Sequence, residues 1–383
     1  MKKIKASIED IYERIIIWRY INKGEKNDYE TNAEGFKTDP LTEEERQLVD
    51  RLFEENYGEK IPYKWHEIYK FNSGVFDHRY FPEFLQDSKL TRYANPAGFT
   101  YYFEDKNFIS KIAQIAGVKT PEVVLYNNSG IFYNNKNQIV SLEEAKEILV
   151  GETDLIIKPS VGSCAGQGIS FVDKKSEYKM VDEDIFDKIL DRYKDNFLIQ
   201  RLIKPHKSFE ILHPDSINTI RLVTYFCNGK VEHIPAVLRM GVGASRVDNA
   251  GQGGILTAVD DSGKLRNYAI NEYCTADKMA EHPDTGVNFE KHKLEHFDRI
   301  IKAGEKMHCM VPQLGIINWD FTLDETGEPV LIEANVDRGH GLGMSQWISG
   351  KAPFGENTAK ILKWISDVSK MKKCDRERKF VHL

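Results

Sequence analysis

Two segments late in the chain put oxygen ligands at a spacing that suits a hard divalent cation. Asn318-Trp319-Asp320-Phe321-Thr322 and Leu331-Ile332-Glu333-Ala334-Asn335 flank the turn Asp324-Glu325-Thr326-Gly327, a β-hairpin pattern. Side chains alternate across a strand, so Glu333 and Asn335 share a face, and the hairpin brings Asp320 beside them. Two carboxylates and one amide oxygen suit magnesium (Mg2+), which completes its shell with water and phosphate. The apolar neighbours Ile316, Ile317, Phe321, Leu331 and Ile332 would make two uncompensated buried carboxylates costly. The alternative is an ordinary hairpin with its acids on a solvated face.

A second group of residues suits phosphate. Gly162-Ser163-Cys164-Ala165-Gly166-Gln167-Gly168 follows the apolar run Leu155-Ile156-Ile157 and Lys158. Glycines let backbone N–H groups approach phosphate oxygens, and Lys158 adds a positive charge at the root of the loop. The spacing matches neither a Walker A loop nor the dinucleotide fingerprint, and a flexible connection reads the same way. Cys164 has no neighbouring histidine to activate it, so covalent catalysis is not assigned to it. Arg221 and Arg239 lie on facing strands of a later hairpin, where a planar guanidinium can grip phosphate or carboxylate, or pair with a surface acid. Gln200 in Phe197-Leu198-Ile199-Gln200 sets an amide among apolar neighbours, where it either reads a base edge or sits on an exposed edge strand.

The elements that must carry these groups fall into zones. Residues 1–95 are charged, aromatic and helical in pattern, with Thr42-Glu43-Glu44-Glu45 opening an amphipathic helix. Residues 96–195 carry a helix from Lys106 to Ile115 ending at Gly117, the strand Glu122 to Tyr126, and the glycine-rich loop. Residues 196–365 read as strands joined by turns, and 366–383 form a C-terminal tail. Thr219 to Phe226 and Val231 to Met240 flank Asn228-Gly229; Ile255 to Val259 and Leu265 to Ile270 flank Asp260-Asp261-Ser262-Gly263. A helix is expected from Phe289 to Met307. Antiparallel hairpins with helices indicate an α+β body.

Composition narrows the class. The 383 residues carry 53 basic and 59 acidic side chains and a net charge of -6, with no dominating block, which speaks against general nucleic-acid binding. Five scattered cysteines without a C-x-x-C pair suggest neither a zinc ribbon nor a disulfide framework, and point to a reducing cytoplasm. The run Ile15-Ile16-Ile17-Trp18 between Arg14 and Arg19 is too short to span a bilayer, so no integral membrane segment is expected.

The order of these groups resembles the ATP-grasp superfamily: lysine, lysine with a glycine loop, a strand-end amide, two arginines, Asn249 with Gly253-Gly254, then Asp and Glu-x-Asn. Phe76-Asp77-His78-Arg79-Tyr80 and Asp105-Lys106-Asn107 are closest to the sugar-transfer-associated group, and the resemblance covers about residues 100–345. It implies two α+β lobes clasping ATP beside a mainly helical N-terminal region. Lys106, Lys158, Ser163, Gly166, Gly168 and Gln200 would bind ATP, although Arg201 stands where many members have glutamate. Asp320, Glu333 and Asn335 would hold Mg2+; Arg221, Arg239 and Asn249 would act at the transferred phosphate. Gly253 and Gly254 would meet substrate. Arg338 and His340, in the glycine-rich segment that follows Asn335, either hold the acceptor or its carboxylate, or belong to a mobile loop beyond the strand. The implied reaction joins a small-molecule or sugar carboxylate to an amine or other nucleophile through an acyl phosphate, in cell-surface polysaccharide or related biosynthesis. A hydroxyl kinase of the same fold and a nucleotide-binding scaffold are the alternatives. Replacing Asp320 or Glu333 by alanine would then abolish turnover with the fold intact. The sequence carries no signal for an oligomeric state.

Overall fold

The computed structural model describes residues 2–19, 37–162, 166–271, 278–337 and 339–379. Helix α1 (Lys2–Arg19) precedes α2 (Glu43–Asn56), which opens on a full capping box. Glu45 N–H donates to the Thr42 hydroxyl at 3.2 Å, and Thr42 N–H donates to the Glu45 carboxylate at 2.8 Å. α3 (Lys64–Ser73) stops at Gly74, and short helical turns over 83–94 lead to α4 (Ala97–Phe103) and α5 (Lys106–Ala116). Asp105 caps the start of α5, and Gly117 ends it with a φ of 64° that a β-carbon would strain.

Next comes a six-stranded antiparallel sheet in the order β3-β2-β1-β6-β4-β5. Its strands are β1 (Val123–Asn128), β2 (Ile131–Asn134), β3 (Ile139–Val140), β4 (Leu155–Pro159), β5 (Ser170–Val172) and β6 (Phe197–Arg201). Helices α6 (Leu142–Leu149) and α7 (Glu183–Tyr193) pack on it through Ala145, Leu149, Ile185, Phe186 and Ile189. β6 lies between β1 and β4, so this sheet runs on to Arg201.

The larger sheet has the order β11-β10-β9-β7-β12-β13, with β8 paired to β7. Its strands are β7 (Thr219–Cys227), β8 (Lys230–His233), β9 (Ala236–Met240), β10 (Ile255–Val259), β11 (Ile270–Asn271), β12 (Ile316–Leu323) and β13 (Pro329–Asn335). Helix α8 (Phe297–Cys309) and α5 cover one face, meeting Ile220, Leu222, Trp319 and Phe321. The other face receives α2, α9 (Gly341–Ser349) and α10 (Thr358–Ser369), and α11 (Lys373–Lys379) packs against α1. The N-terminal helices thus share a core with Val223 and Tyr225. The expected α+β class holds.

Three expected elements differ. The helix begins at Phe297 and not at Phe289, because Leu294 N–H bonds Gly263 O at 2.8 Å and His296 takes a left-handed φ of 58°. The run from Val231 to Met240 is two strands, broken at Ile234-Pro235, since proline donates nothing to a ladder. Leu265 to Ile270 yields strand only at Ile270–Asn271, with Leu265 reduced to a single bridge to Val259.

Candidate functional site

β12 is buried along its whole length, and its period-two alternation divides the chemistry from the packing. Ile317, Trp319, Phe321 and Leu323 enter the core under α8, so Asn318, Asp320 and Thr322 face the opposite way. Plain alternation in β13 would set Leu331 and Glu333 on one face. A bulge intervenes: Phe321 pairs with Leu331 but Asp320 pairs with Glu333, leaving Ile332 as the extra residue. Leu331 stays in the core while Glu333 lies opposite Asp320. Asn335, across from Asn318, comes within 3.5 Å of Asp320 through its amide nitrogen. Asp320, Glu333 and Asn335 are therefore neighbours.

The same alternation aims both arginines at this spot. Ile220 and Leu222 enter the core from β7 and Leu238 from β9, so Arg221 and Arg239 turn outward from it. Arg221 donates to both oxygens of Asp320, from Nε at 2.6 Å and from an outer nitrogen at 3.1 Å, and also bonds Gly339 O. Arg239 reaches the second Asp320 oxygen at 3.1 Å and the Thr219 hydroxyl at 2.7 Å. Asp320 thus pairs with two buried guanidinium groups at once. Burial pushes its carboxyl up, but Arg221 and Arg239 outweigh that and hold it below the ordinary aspartate range.

Lys106 starts α5, where its N–H bonds Ser160 O at 3.0 Å; its ammonium stands 3.2 Å from Glu333. Lys158 extends from β4 into the same region. Burial, and then the charge of Lys106, lower its pKa to about 8 from 10.5, against a smaller opposing pull from Glu333. Burying that charge disfavours folding below about pH 8, and the penalty is relieved as pH rises from there toward 10.5.

These groups line one cavity of about 570 Å³ between the two sheets. Lys106, Lys158, Arg221 and Arg239 bring four positive charges against the carboxylates of Asp320 and Glu333. Pro121, Ile156, Leu202, Ile203 and Ile332 form its apolar walls, together with Gln200. Gln200 is 3% exposed; its amide nitrogen bonds Pro121 O at 3.4 Å, while its oxygen Oε1 is buried without a hydrogen-bond partner. A buried acceptor left unpaired is costly, and a ligand N–H would satisfy it.

Other expected residues are placed as follows. Gly166, Asn249 and His340 line the cavity. The Asn249 side-chain oxygen accepts from Gly251 N–H at 2.8 Å, which shapes the turn beneath it. Gly168, Gly253 and Gly254 are not among the lining residues. A β-carbon on Gly254 would lie 2.8 Å from Met240 O and 2.9 Å from Asp248 O, so that glycine serves a close backbone approach. Ser163, Cys164 and Arg338 lie outside the described residues. Phe76 to Tyr80 do not line the cavity: Arg79 pairs with Asp77 and Glu356, and Tyr80 bonds Val75 O at 2.8 Å. The adjoining Phe81 is clamped by Gln346 of α9, through N–H to Oε1 at 2.6 Å and Nε2 to its carbonyl at 3.0 Å.

Sequence reasoning missed Asp248, Thr219, Arg246 and Phe171, all on the cavity wall. Asp248 bonds the Thr219 hydroxyl and lies 3.8 Å from Arg239; burial raises its pKa. Arg246 stacks on Phe171, 3.9 Å from the ring centre, and pairs with Asp173, which joins the smaller sheet to the loop after β9. Asp248 adjoins Asn249, and Thr219 lies two residues before Arg221. Their proximity to chosen residues was the one available signal.

The family model for sugar-transfer associated ATP-grasp matches residues 85–360. Among solved structures the chain is similar to the N5-carboxyaminoimidazole synthetase of Staphylococcus aureus complexed with ADP (11% identity, TM-score 0.38, covering 64% of this chain and 50% of that one). It is also similar to the L-amino acid ligase of Bacillus licheniformis (15%, TM-score 0.38, 73% and 51%). A third is the D-alanine–D-alanine ligase of Bacillus anthracis complexed with ATP (13%, TM-score 0.37, 73% and 67%). The chain spans about half the length of the first two. No curated protein matches the chain.

Proposed function

The chain belongs to the sugar-transfer-associated ATP-grasp family, and from that premise we propose that it is an ATP-dependent ligase joining a carboxylate to an amine or another nucleophile. One observation carries this reading: a single cavity has four convergent cations and an acidic pair at one end, and apolar walls with an unsatisfied buried amide oxygen. A triphosphate with a divalent cation needs the first, and an adenine with its exocyclic amine needs the second. The domain division follows the same reading, with ATP held between the smaller sheet and the larger one and the described helices of residues 1–95 buttressing the larger.

The oxygen donors of Asp320, Glu333 and Asn335 fit a hard cation, and Mg2+ bound there would neutralise charge on the phosphates. Lys106 and Lys158 bind and orient the phosphate chain, with Gly166, Ser163 and Gly168 assigned to the loop over it. Arg221 and Arg239, with Asn249 beside them, hold the oxygens of the transferred group. Phosphoryl transfer depends mostly on positioning and charge neutralisation, which these residues supply without a covalent protein intermediate. The substrate carboxylate takes the phosphoryl group, and the nucleophile then displaces phosphate from the acyl phosphate. Arg338 and His340, with Gly253 and Gly254 behind the turn, are assigned to the acceptor side. We place the reaction in the cytoplasm, with a sugar acid or small carboxylate of polysaccharide biosynthesis as substrate. No described helix is long and apolar enough to cross a membrane.

Trapping with hydroxylamine tests the reaction. ADP release matched by hydroxamate, in a screen of paired sugar acids, amino acids and amines, is the expected result. ADP release with a phosphorylated hydroxyl and no hydroxamate would identify a kinase, and nucleotide binding without ADP release would identify a scaffold.

Two binding predictions follow from the walls. Gln200→Leu is expected to weaken ATP about 5- to 30-fold, the worth of one to two buried hydrogen bonds. A purine triphosphate lacking the 6-amino group should bind the wild type as weakly as ATP binds the variant, by calorimetric titration. Lys158 makes affinity fall with pH, since only its ammonium attracts phosphate. With a pKa of about 8 in the empty site, ATP affinity should drop by up to about tenfold between pH 7 and 9, with proton uptake on binding near pH 8.5. Titration in buffers of different ionisation enthalpy measures that uptake, and Lys158→Met should abolish it.

A further inference from the structure

Helix α1 is fixed along one side and exposed along the other. On its inner side, Lys373 N–H donates to Asp10 Oδ1 at 2.7 Å, Arg376 pairs with Glu13, and Ile17 enters the core shared with α2 and α10. On its outer side Ile8, Ile11, Tyr12, Ile15 and Trp18 are 61%, 58%, 66%, 46% and 63% exposed. Their spacing of three and four residues makes one continuous stripe, which a helix in water would ordinarily bury. None of these residues lines the cavity, so the proposed function leaves the stripe without a use.

Charge indicates what covers it. The helix carries Lys2, Lys3, Lys5, Arg14 and Arg19 against Glu9, Asp10 and Glu13, in a chain whose net charge is -6. Two of the three acids are engaged by α11, while Arg14 and Arg19 are exposed beside the stripe. Ile8, Ile11, Ile15 and Trp18 also fit the a and d positions of a heptad, which raises a second copy of the chain as occupant. Arg14 would then be at g and Arg19 at e. Parallel pairing sets Arg14 of one copy against Arg19 of the other, and antiparallel pairing sets Arg14 against Arg14, so both oppose like charges.

We propose that α1 is an interfacial helix that docks the protein on an anionic lipid surface. The isoleucines enter the boundary between headgroups and acyl chains. Tyr12 and Trp18, apolar rings with a polar edge, sit at headgroup level, and Arg14 and Arg19 meet lipid phosphates. The proposal is independent of the ATP reading, because none of its residues belongs to that site.

Cosedimentation of the full chain with vesicles tests it. Binding to phosphatidylglycerol-containing vesicles should be roughly tenfold or more tighter than to phosphatidylcholine alone, and should weaken in high salt. Ile11→Asp with Ile15→Asp should reduce it by roughly tenfold or more with an unchanged melting temperature, and Arg14→Glu with Arg19→Glu should remove the preference for anionic lipid. A chain that stays in solution with anionic vesicles overturns the proposal. So does a lipid-free dimer that the isoleucine variant dissociates, or capture by an acidic protein helix with no vesicle binding. A large fall in the variant's melting temperature also overturns it, since it would mean the stripe is covered within the chain.

Discussion

Asp320→Ala is expected to lose ATP turnover and to destabilise the protein at the same time. The sequence suggests a metal ligand whose removal spares the fold, but the structure gives the side chain a second task. Asp320 is 3% exposed and is hydrogen-bonded to both Arg221 and Arg239, which are each 7% exposed. Deleting one partner of a buried ion pair leaves uncompensated charge and costs about 3–5 kcal/mol; water in the adjoining cavity favours the lower end. Chemical denaturation should show that loss as a lower midpoint with an unchanged slope. Adding Arg221→Met to Asp320→Ala should recover part of the stability and none of the turnover, the coupling expected of two groups in direct contact. Equal stability of wild type and Asp320→Ala would contradict the pairing.

Glu333→Gln is the cleaner probe of the proposed metal site. Its side chain is 31% exposed, and its ion-pair partner Lys106 lies beside the open cavity. Lys106 is only 9% exposed, but solvent screening at Glu333 and water in the cavity limit the loss, so the denaturation midpoint should move much less than in Asp320→Ala. Turnover should nevertheless fall at least about a hundredfold, the usual cost of losing one preorganised electrostatic contact to a developing charge. The substitution keeps the shape of the side chain, removes its negative charge and replaces one acceptor oxygen with an N–H donor. Retained turnover in purified Glu333→Gln would refute the metal assignment.

The Asp320–Glu333 hairpin was legible because one strand obeys a strict alternation: Trp319 and Phe321 are buried, which forces Asn318 and Asp320 to the other face. The bulge at Ile332 was not legible, since nothing in Leu331-Ile332-Glu333 marks an extra residue. The pairing of Asp320 with both arginines was hidden for a different reason. It depends on strand order: β7 lies between β9 and β12, and sequence separation says nothing about which strands adjoin. The helix start at Phe297 escaped because residues 289–296 are held from elsewhere in the chain: Phe289 N–H by Ala280 O, Leu294 N–H by Gly263 O and Glu295 N–H by the Ser208 hydroxyl. Asp248 and Arg246 were missed because lone charged residues in a loop look alike until the fold brings Arg239 and Asp173 to them. Capping signals, being local, read true: Thr42 with Glu45, and Gly117, stand where their chemistry requires.

In the proposed complex ATP occupies the cavity with its phosphates over Lys106, Lys158 and the Asp320–Glu333–Asn335 corner. Calorimetric titration of the wild type and Glu333→Gln with ATP, with magnesium and with a chelator in its place, tests it without knowledge of the carboxylate. One ATP per chain, bound more tightly with magnesium by the wild type but not by the variant, is the predicted result. No ATP binding, or the same magnesium dependence in both proteins, would contradict it.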